Sequence, residues 1–220
     1  MVFTNQLVFV TGNENKYREV KQILEPLGFT IVKPEHDVDV PELQGPSEFI
    51  AKEKCRRAAE QINGPCITED TSLKFDALST EKYDLPGPYI KYFVENIKPQ
   101  GLHDLLKGYG DPPNMKASAM CLFAYSTGPG TEPHICRGAA EGHIVPPRMR
   151  KEDVEAGKKP FGWDPIFQPN DQDPERPEEG GEKPFQTYGE MNTVFKNKIS
   201  HRAKALTILR AKLEELRNAQ

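Results

Sequence analysis

One apolar run limits the fold of this chain more than any other feature: Gln6 to Thr11, QLVFVT, which does not alternate. A strand covered on one face alternates apolar and polar residues. A continuous run suits a strand covered on both faces, in a parallel or central position. Asn15 to Leu24 follow, with Tyr17, Val20 and Leu24 spaced as one helical face. Leu27-Gly28 closes that helix, and Phe29 to Val32 reads as a second strand. A β-α-β start with short connections predicts an α/β protein.

The remainder extends this pattern. Pro46 to Ile62 reads as a helix, with Ala51, Cys55, Ala58 and Ile62 on one side. Cys66 to Thr68 is expected to be a short strand ending at Glu69-Asp70-Thr71-Ser72. Pro86-Gly87-Pro88 launches a helix with Ile90, Phe93, Val94 and Ile97 on its apolar face, and a shorter helix is expected around Gly101 to Lys107. Met115 to Ser126 and Ile135 to Val145 read as an antiparallel pair in a second lobe. The last helix starts near Ser200, a good N-cap residue, and carries a stripe of Leu206, Leu209, Leu213 and Leu216. Stretches near 148–160 and 170–184 are too polar and Pro/Gly-rich to offset their ordering entropy, and are expected to be mobile loops.

A net charge of −4 gives no reason to expect nucleic acid or a membrane surface as partner. No apolar run approaches the ~20 residues that cross a bilayer. The N-terminus lacks the pattern of a secretory signal. Cys55, Cys66, Cys121 and Cys136 form no CxxC pair and read as reduced, buried thiols. A cytoplasmic protein is expected, with the nucleus also open to a chain of this size.

Four constellations could carry chemistry. Thr11-Gly12-Asn13-Glu14-Asn15-Lys16 joins a strand to a helix start. It is either a plain turn with a solvated lysine or an anion site made of helix N-terminal amides, the Thr11 hydroxyl and the Lys16 charge. Glu19 is placed to steady Lys16. A single glycine without Gly-Lys-Ser/Thr excludes a Walker A loop. Glu69-Asp70 puts two carboxylates at an expected strand end, suited to a hard cation such as Mg²⁺ or to capping a turn. Phe161-Gly162-Trp163-Asp164-Pro165 holds the only tryptophan, which is either a core anchor or part of a slot for a base. Stacking on an aromatic face is worth roughly 1–3 kcal/mol. Lys196 and Ser200-His201-Arg202 form either a capped helix start with exposed basic residues or part of a site. His201 is unusual there, because positive charge is disfavoured at a helix N-terminus.

Taken in order, TGNENKYREV, EDTSL, LPGPYIKYF, FGWDPIF and KNKISHRAKAL closely resemble the inosine triphosphate pyrophosphatase family, the Ham1-like NTPases. The similarity spans nearly the whole chain as a single domain, 1–220. The resemblance implies an elongated α/β fold, with a long mixed central sheet, two lobes and a cleft between them, and a homodimer. It implies Mg²⁺-dependent hydrolysis of ITP, dITP and XTP to the monophosphate and pyrophosphate, which cleanses the nucleotide pool. Mn²⁺ would be a possible substitute. Carried over by position, Thr11, Gly12, Asn13, Glu14, Asn15 and Lys16 would hold the phosphates. Glu42 and Asp70 would hold the metal. Lys54, Asp70, Thr71, Lys91 and Lys196 would line the triphosphate and sugar path. Phe161, Gly162, Trp163 and Asp164, with His201 and Arg202, would form the base pocket. Asp70 and Lys16 would carry the catalysis.

The chemistry agrees with these assignments. Lysines and a divalent cation offset the charge of a triphosphate and of the departing pyrophosphate. Hypoxanthine and xanthine present an accepting oxygen where adenine presents a donor, so a pocket of donors would favour them. A site built to pair one polar group can reject a substrate lacking it by about 10⁴. Two other readings remain open at this stage: a pyrophosphatase for another non-standard base, such as a methylated pyrimidine, and a nucleotide-binding regulator without turnover.

Overall fold

The computed structural model describes residues 5–172 and 185–219. A seven-stranded mixed sheet carries the fold, in the order β2-β1-β3-β5-β6-β7, with β4 paired to β3. Strand β1 (Gln6–Val10) lies parallel to both β2 (Thr30–Val32) and β3 (Cys66–Phe75), with Val8 opposite Val32 on one side and Cys66 on the other. The unbroken apolar run thus sits in an inner, parallel strand, as expected.

The chain divides into two compact units. The first comprises Met1–Thr71, Cys121–Gly138 and Arg202–Gln220; the second comprises Ser72–Met120 and Ala139–His201.

In unit 1, helix α1 (Glu14–Leu24) begins at Asn13, whose side-chain oxygen accepts from the N–H groups of Asn15 and Lys16. It buries Val20 and Leu24, then passes through a 3-10 turn, Glu25–Leu27, to Gly28 at φ 85°. That left-handed angle suits glycine, and it turns the chain into β2. Helix α2 (Ser47–Ile62) starts after Pro46, buries Ala51, Cys55 and Ala58, and stops at Asn63 in the left-handed region. Leu206, Leu209 and Leu213 of α6 (His201–Asn218) are fully covered, packing with Phe9, Ile31, Phe123 and Cys121 in one core. All four cysteines are free thiols and buried.

Unit 2 has its own core, around Leu73, Phe75, Leu102, Trp163, Phe167 and Tyr188. Helix α3 (Ile90–Leu105) breaks at Lys98, at φ 61°, just before Pro99, which separates the two helices expected from the sequence. Strands β5 (Lys116–Ser126) and β6 (His134–Ile144) are sheet neighbours. Ile144 N–H at the end of β6 donates to the Met115 carbonyl just before β5, as an antiparallel pair requires. Strand β7 (Phe167–Pro169) lies antiparallel to β6.

Three elements differ from the sequence reading. Strand β3 does not stop at Thr68 but runs on through the polar Glu69–Ser72 to Phe75. The 148–160 stretch contains a short helix, α4 (Lys151–Glu155), whose Asp153 is buried and pairs with Arg150 and Lys158. A further helix, α5 (Thr193–Ile199), capped by Asn192, precedes Ser200. Most of the 170–184 stretch lies outside the described residues.

The Pro86-Gly87-Pro88 turn opens as strand β4 (Pro86–Gly87), antiparallel to Leu73 and Lys74. Gly87 has φ 55°, and a Cβ there would lie 2.2 Å from the Asp84 carbonyl oxygen. Gly87→Ala is therefore expected to destabilise the protein by at least about 2 kcal/mol, combining the left-handed backbone cost with the clash. Urea unfolding would read this as a lower midpoint, and an unchanged midpoint would refute the backbone argument.

Candidate functional site

In unit 1 the chemistry centres on β3. Side chains alternate along a strand, so the neighbours Glu69 and Asp70 point to opposite faces and meet different partners. The Glu69 side chain is fully buried, at 0% exposure, and ion-pairs with the Lys16 ammonium. It also takes Arg202 Nη2 at 3.3 Å, the Cys121 thiol at 3.1 Å and the Thr71 hydroxyl. Arg202 Nη1 meets Glu19 Oε2 at 2.5 Å, and Nη2 lies 3.3 Å from Thr71 Oγ1. Arg202 Nε is buried with no hydrogen-bond partner among the described residues.

Burial alone would raise the Glu69 carboxyl, but Lys16 and then Arg202 outweigh it and hold it well below the usual carboxylate range. Burial would likewise lower Arg202, and Glu69 and Glu19 reverse that, locking the guanidinium in its charged form. Burial, reinforced by Glu69, pushes the Cys121 thiol well up, so it serves as a neutral donor.

Asp70 behaves in the opposite way. Its side chain is 15% exposed and lies 3.6 Å from Lys54 Nζ. Burial raises its pKa, Lys54 and Lys16 oppose that, and Glu69 and Glu42 add to it; the net direction is upward. Lys54 Nζ also donates to the Glu69 carbonyl at 3.3 Å, so one ammonium grips both strand backbone and carboxylate. Asp70 and the exposed Glu42, which acts on it electrostatically, offer only oxygen donors. That set fits Mg²⁺, which binds through one or two carboxylates and completes its shell with phosphate and water. Among the described residues, no group of three or more His, Cys, Asp or Glu is arranged to hold a metal. Glu69 itself is committed to Lys16 and Arg202, so the paired carboxylates do not act as one cation site.

The loop before α1 is partly self-satisfied. Thr11 Oγ1 accepts from Asn13 N–H at 3.1 Å, and Asn13 already takes the amides of Asn15 and Lys16. The sequence offered all of these amides to an anion; the cap removes two. Around Gly12 an added Cβ would meet nothing within 4 Å, so the loop is open there. Glu14 is exposed and paired with Lys33. Glu19 was expected to steady Lys16, but it holds Arg202, while Lys16 turns to Glu69. A fully buried carboxylate makes a far stronger demand for a cation than an i,i+3 neighbour on a helix surface.

Unit 2 gathers the second group. Lys196, 8% exposed on α5, meets Asp164 at 2.5 Å. Its ammonium stands 5.2 Å from the Phe161 ring centroid and 5.3 Å from that of Tyr188. His201 is buried, with its ring 5.3 Å from Trp163 and stacked on Tyr188 at 5.8 Å. Trp163 is a core residue, edge-on to Phe167 at 5.5 Å. Gly162, at φ 55°, turns the chain between Phe161 and Trp163. Lys91 is exposed, 5.7 Å from the Tyr92 ring. Nothing in the sequence marks Cys121 or Tyr188 as partners in these groups, since their contacts come from distant segments.

Fold and clusters define a class: an α/β protein that pairs lysines with carboxylates in each of its two units. The pattern of the Ham1 family matches residues 7–212, and the chain belongs to that family. It is 47% identical to an inosine triphosphate pyrophosphatase of Pyricularia oryzae, over 92% of this chain and 90% of that one. It is also 47% identical to the inosine triphosphate pyrophosphatase of Ajellomyces capsulatus, over 94% and 96%. Among solved structures, a HAM1 protein from Coxiella burnetii superposes with a TM-score of 0.77 at 27% identity, covering 98% of this chain and 100% of that one.

The two neighbouring carboxylates predict opposite responses to substitution. Glu69→Gln takes the carboxylate from Lys16 and leaves the buried Arg202 with Glu19 alone, and should cost about 3–5 kcal/mol at pH 7. Because its folded pKa is depressed, that difference should shrink as pH falls below about 4.3. Asp70→Asn should stabilise at pH 7, since the folded state disfavours its charge. With the folded pKa raised, the gain should vanish as pH falls below about 3.9, where both states are protonated. Urea midpoints of the two variants across pH 3.5 to 7 check both signs, and a destabilised Asp70→Asn at pH 7 would contradict the second.

Proposed function

We propose that the chain hydrolyses ITP, dITP and XTP to the nucleoside monophosphate and pyrophosphate, with Mg²⁺ as cofactor and Mn²⁺ as a substitute. The observation that carries the reading is the division of labour on β3. Glu69 stays ionised and anchors Lys16 and Arg202; Asp70 is held at a raised pKa beside Lys54. The names of the relatives support the substrate class. A nucleoside-triphosphatase, or dITP/XTP pyrophosphatase, from Mycobacterium abscessus is also similar in structure, with a TM-score of 0.63 at 25% identity over 93% of this chain.

The mechanism follows from the side chains. A carboxylate with a raised pKa is a better proton acceptor than an ordinary one. Asp70 takes a proton from water as its oxygen attacks the α-phosphorus, and the bond to pyrophosphate breaks. Lys16 and Lys54 offset negative charge on the phosphates and on the leaving group. Mg²⁺, held by Asp70 and Glu42, would polarise the phosphate oxygens and the attacking water. Lys196 and Lys91 add positive charge for the triphosphate and sugar. His201, Trp163 and Phe161 provide aromatic surface for the base. Arg202 and backbone N–H groups near Trp163 are the donors for its keto oxygen. A homodimer and a cytoplasmic location complete the reading; no helix among the described residues is long and apolar enough to cross a membrane.

Incubation with Mg²⁺ and ITP, dITP, XTP, ATP, GTP or dTTP tests this directly. Pyrophosphate is expected from the first three, with ATP turned over by orders of magnitude less. Orthophosphate would signal attack at the terminal phosphorus, turnover of dTTP alone a site for a methylated pyrimidine, and binding without release a regulator. Asp70→Asn should abolish turnover and keep nucleotide affinity within a few fold. Normal turnover in that variant would remove Asp70 from its role.

A further inference from the structure

Lys196 presents an energetic problem. A buried ammonium loses its hydration, and a single carboxylate seldom restores all of it. Asp164 supplies one partner at 2.5 Å. The rest comes from two ring faces, Phe161 and Tyr188, each a little over 5 Å from the nitrogen. Phe161 is half-buried, whereas Tyr188 is 2% exposed. Tyr188 also stacks on His201 and lies 6.2 Å from Trp163 and 5.2 Å from Phe167.

The backbone under Tyr188 is fixed on several sides. Its N–H donates to the Phe167 carbonyl at 3.0 Å. Thr187 before it donates through its hydroxyl to the Arg148 carbonyl at 3.1 Å, and through its N–H to Glu190 at 2.9 Å. Gly189 after it lies so close to Arg148 and Pro165 that an added Cβ would stand 2.7 Å from the Arg148 carbonyl oxygen. A ring held on a clamped backbone, touching both Lys196 and His201, is well suited to fixing them.

We propose that Tyr188 is a positioning residue: its ring holds the Lys196 ammonium and the His201 imidazole in place for the nucleotide without touching it. The inference rests on the reading that Lys196 and His201 contact substrate. Cation–π attraction depends on the negative face of the ring, which fluorine withdraws while leaving the shape nearly unchanged. Packing alone would not respond to that change.

The experiment is a series at position 188: tyrosine, Tyr188→Phe, mono-, tri- and pentafluorophenylalanine, and Tyr188→Leu. Two readouts are taken, steady-state kinetics with ITP and the rate at which acetic anhydride labels Lys196. Tyr188→Phe should restore wild-type behaviour. Across the fluorinated series KM should rise stepwise to about tenfold, with kcat within about threefold, and labelling should accelerate in parallel. Trp163, the only tryptophan, gives a third signal, because its fluorescence response to IMP should weaken along the series. Flat labelling across the series would overturn the proposal whatever the kinetics, and so would a Tyr188→Phe as impaired as Tyr188→Leu. Faster labelling in a protein that releases no pyrophosphate from ITP would keep Tyr188 as the support of Lys196 and reject the nucleotide reading instead. If Tyr188→Leu does not fold, the isosteric fluorinated series decides alone.

Discussion

A carboxylate with no exposed surface must be given cations or it will not stay charged, and Glu69 is given two. Lys16 comes from α1, Arg202 from the first turn of α6, and the neutral donors Thr71 and Cys121 from β3 and β5. Partners up to 133 residues away in the chain therefore converge on the oxygen pair of Glu69. Removing Glu69 or either cation would leave the rest with an uncompensated charge, and removing a neutral donor would cost Glu69 a hydrogen bond, so the group behaves as a unit. That unit fixes where Lys16 stands and keeps Arg202 in one protonation state.

The strand beneath it turns this into chemistry. A register of one residue separates Glu69 from Asp70, and with it two electrostatic environments. On one face the cations outnumber the cost of burial; on the other they do not. One carboxylate is kept ionised and structural, and the other is kept reluctant to ionise. Two chemically similar side chains thus acquire different roles from the pleat of β3, with no residue inserted between them.

How much of this was legible follows from the range of each signal. The β-α-β start, the parallel setting of β1 and the apolar stripe of α6 rest on local periodicity, and the structure reproduces them. Strand β3 was read too short because Glu69-Asp70-Thr71-Ser72 looks like a turn in sequence, and only distant cations make it tolerable as a buried strand. Helix α4 has five residues, too few for a helical period to stand out, and its order comes from Asp153 meeting Arg150 and Lys158. Glu19 was matched to Lys16 because helix spacing reports i,i+3 neighbours. It cannot report Arg202, which lies 183 residues away in the chain. The motif residues themselves were all visible, but their allegiances were not.

The same contrast explains why unit 2 handles its charge differently. Among the described residues Lys196 meets one carboxylate, Asp164, where Glu69 meets two cations and two neutral donors. Aromatic rings supply the difference, and they do so without neutralising the ammonium. A lysine surrounded by carboxylates would present little net charge to a phosphate. One held by a single carboxylate and two ring faces keeps its geometry and retains part of its field. Unit 1 sets opposite charges against each other around a buried carboxylate, and unit 2 sets an ammonium against a carboxylate and two π-faces. The aromatic residues around Lys196 therefore act on its charge as well as filling the core.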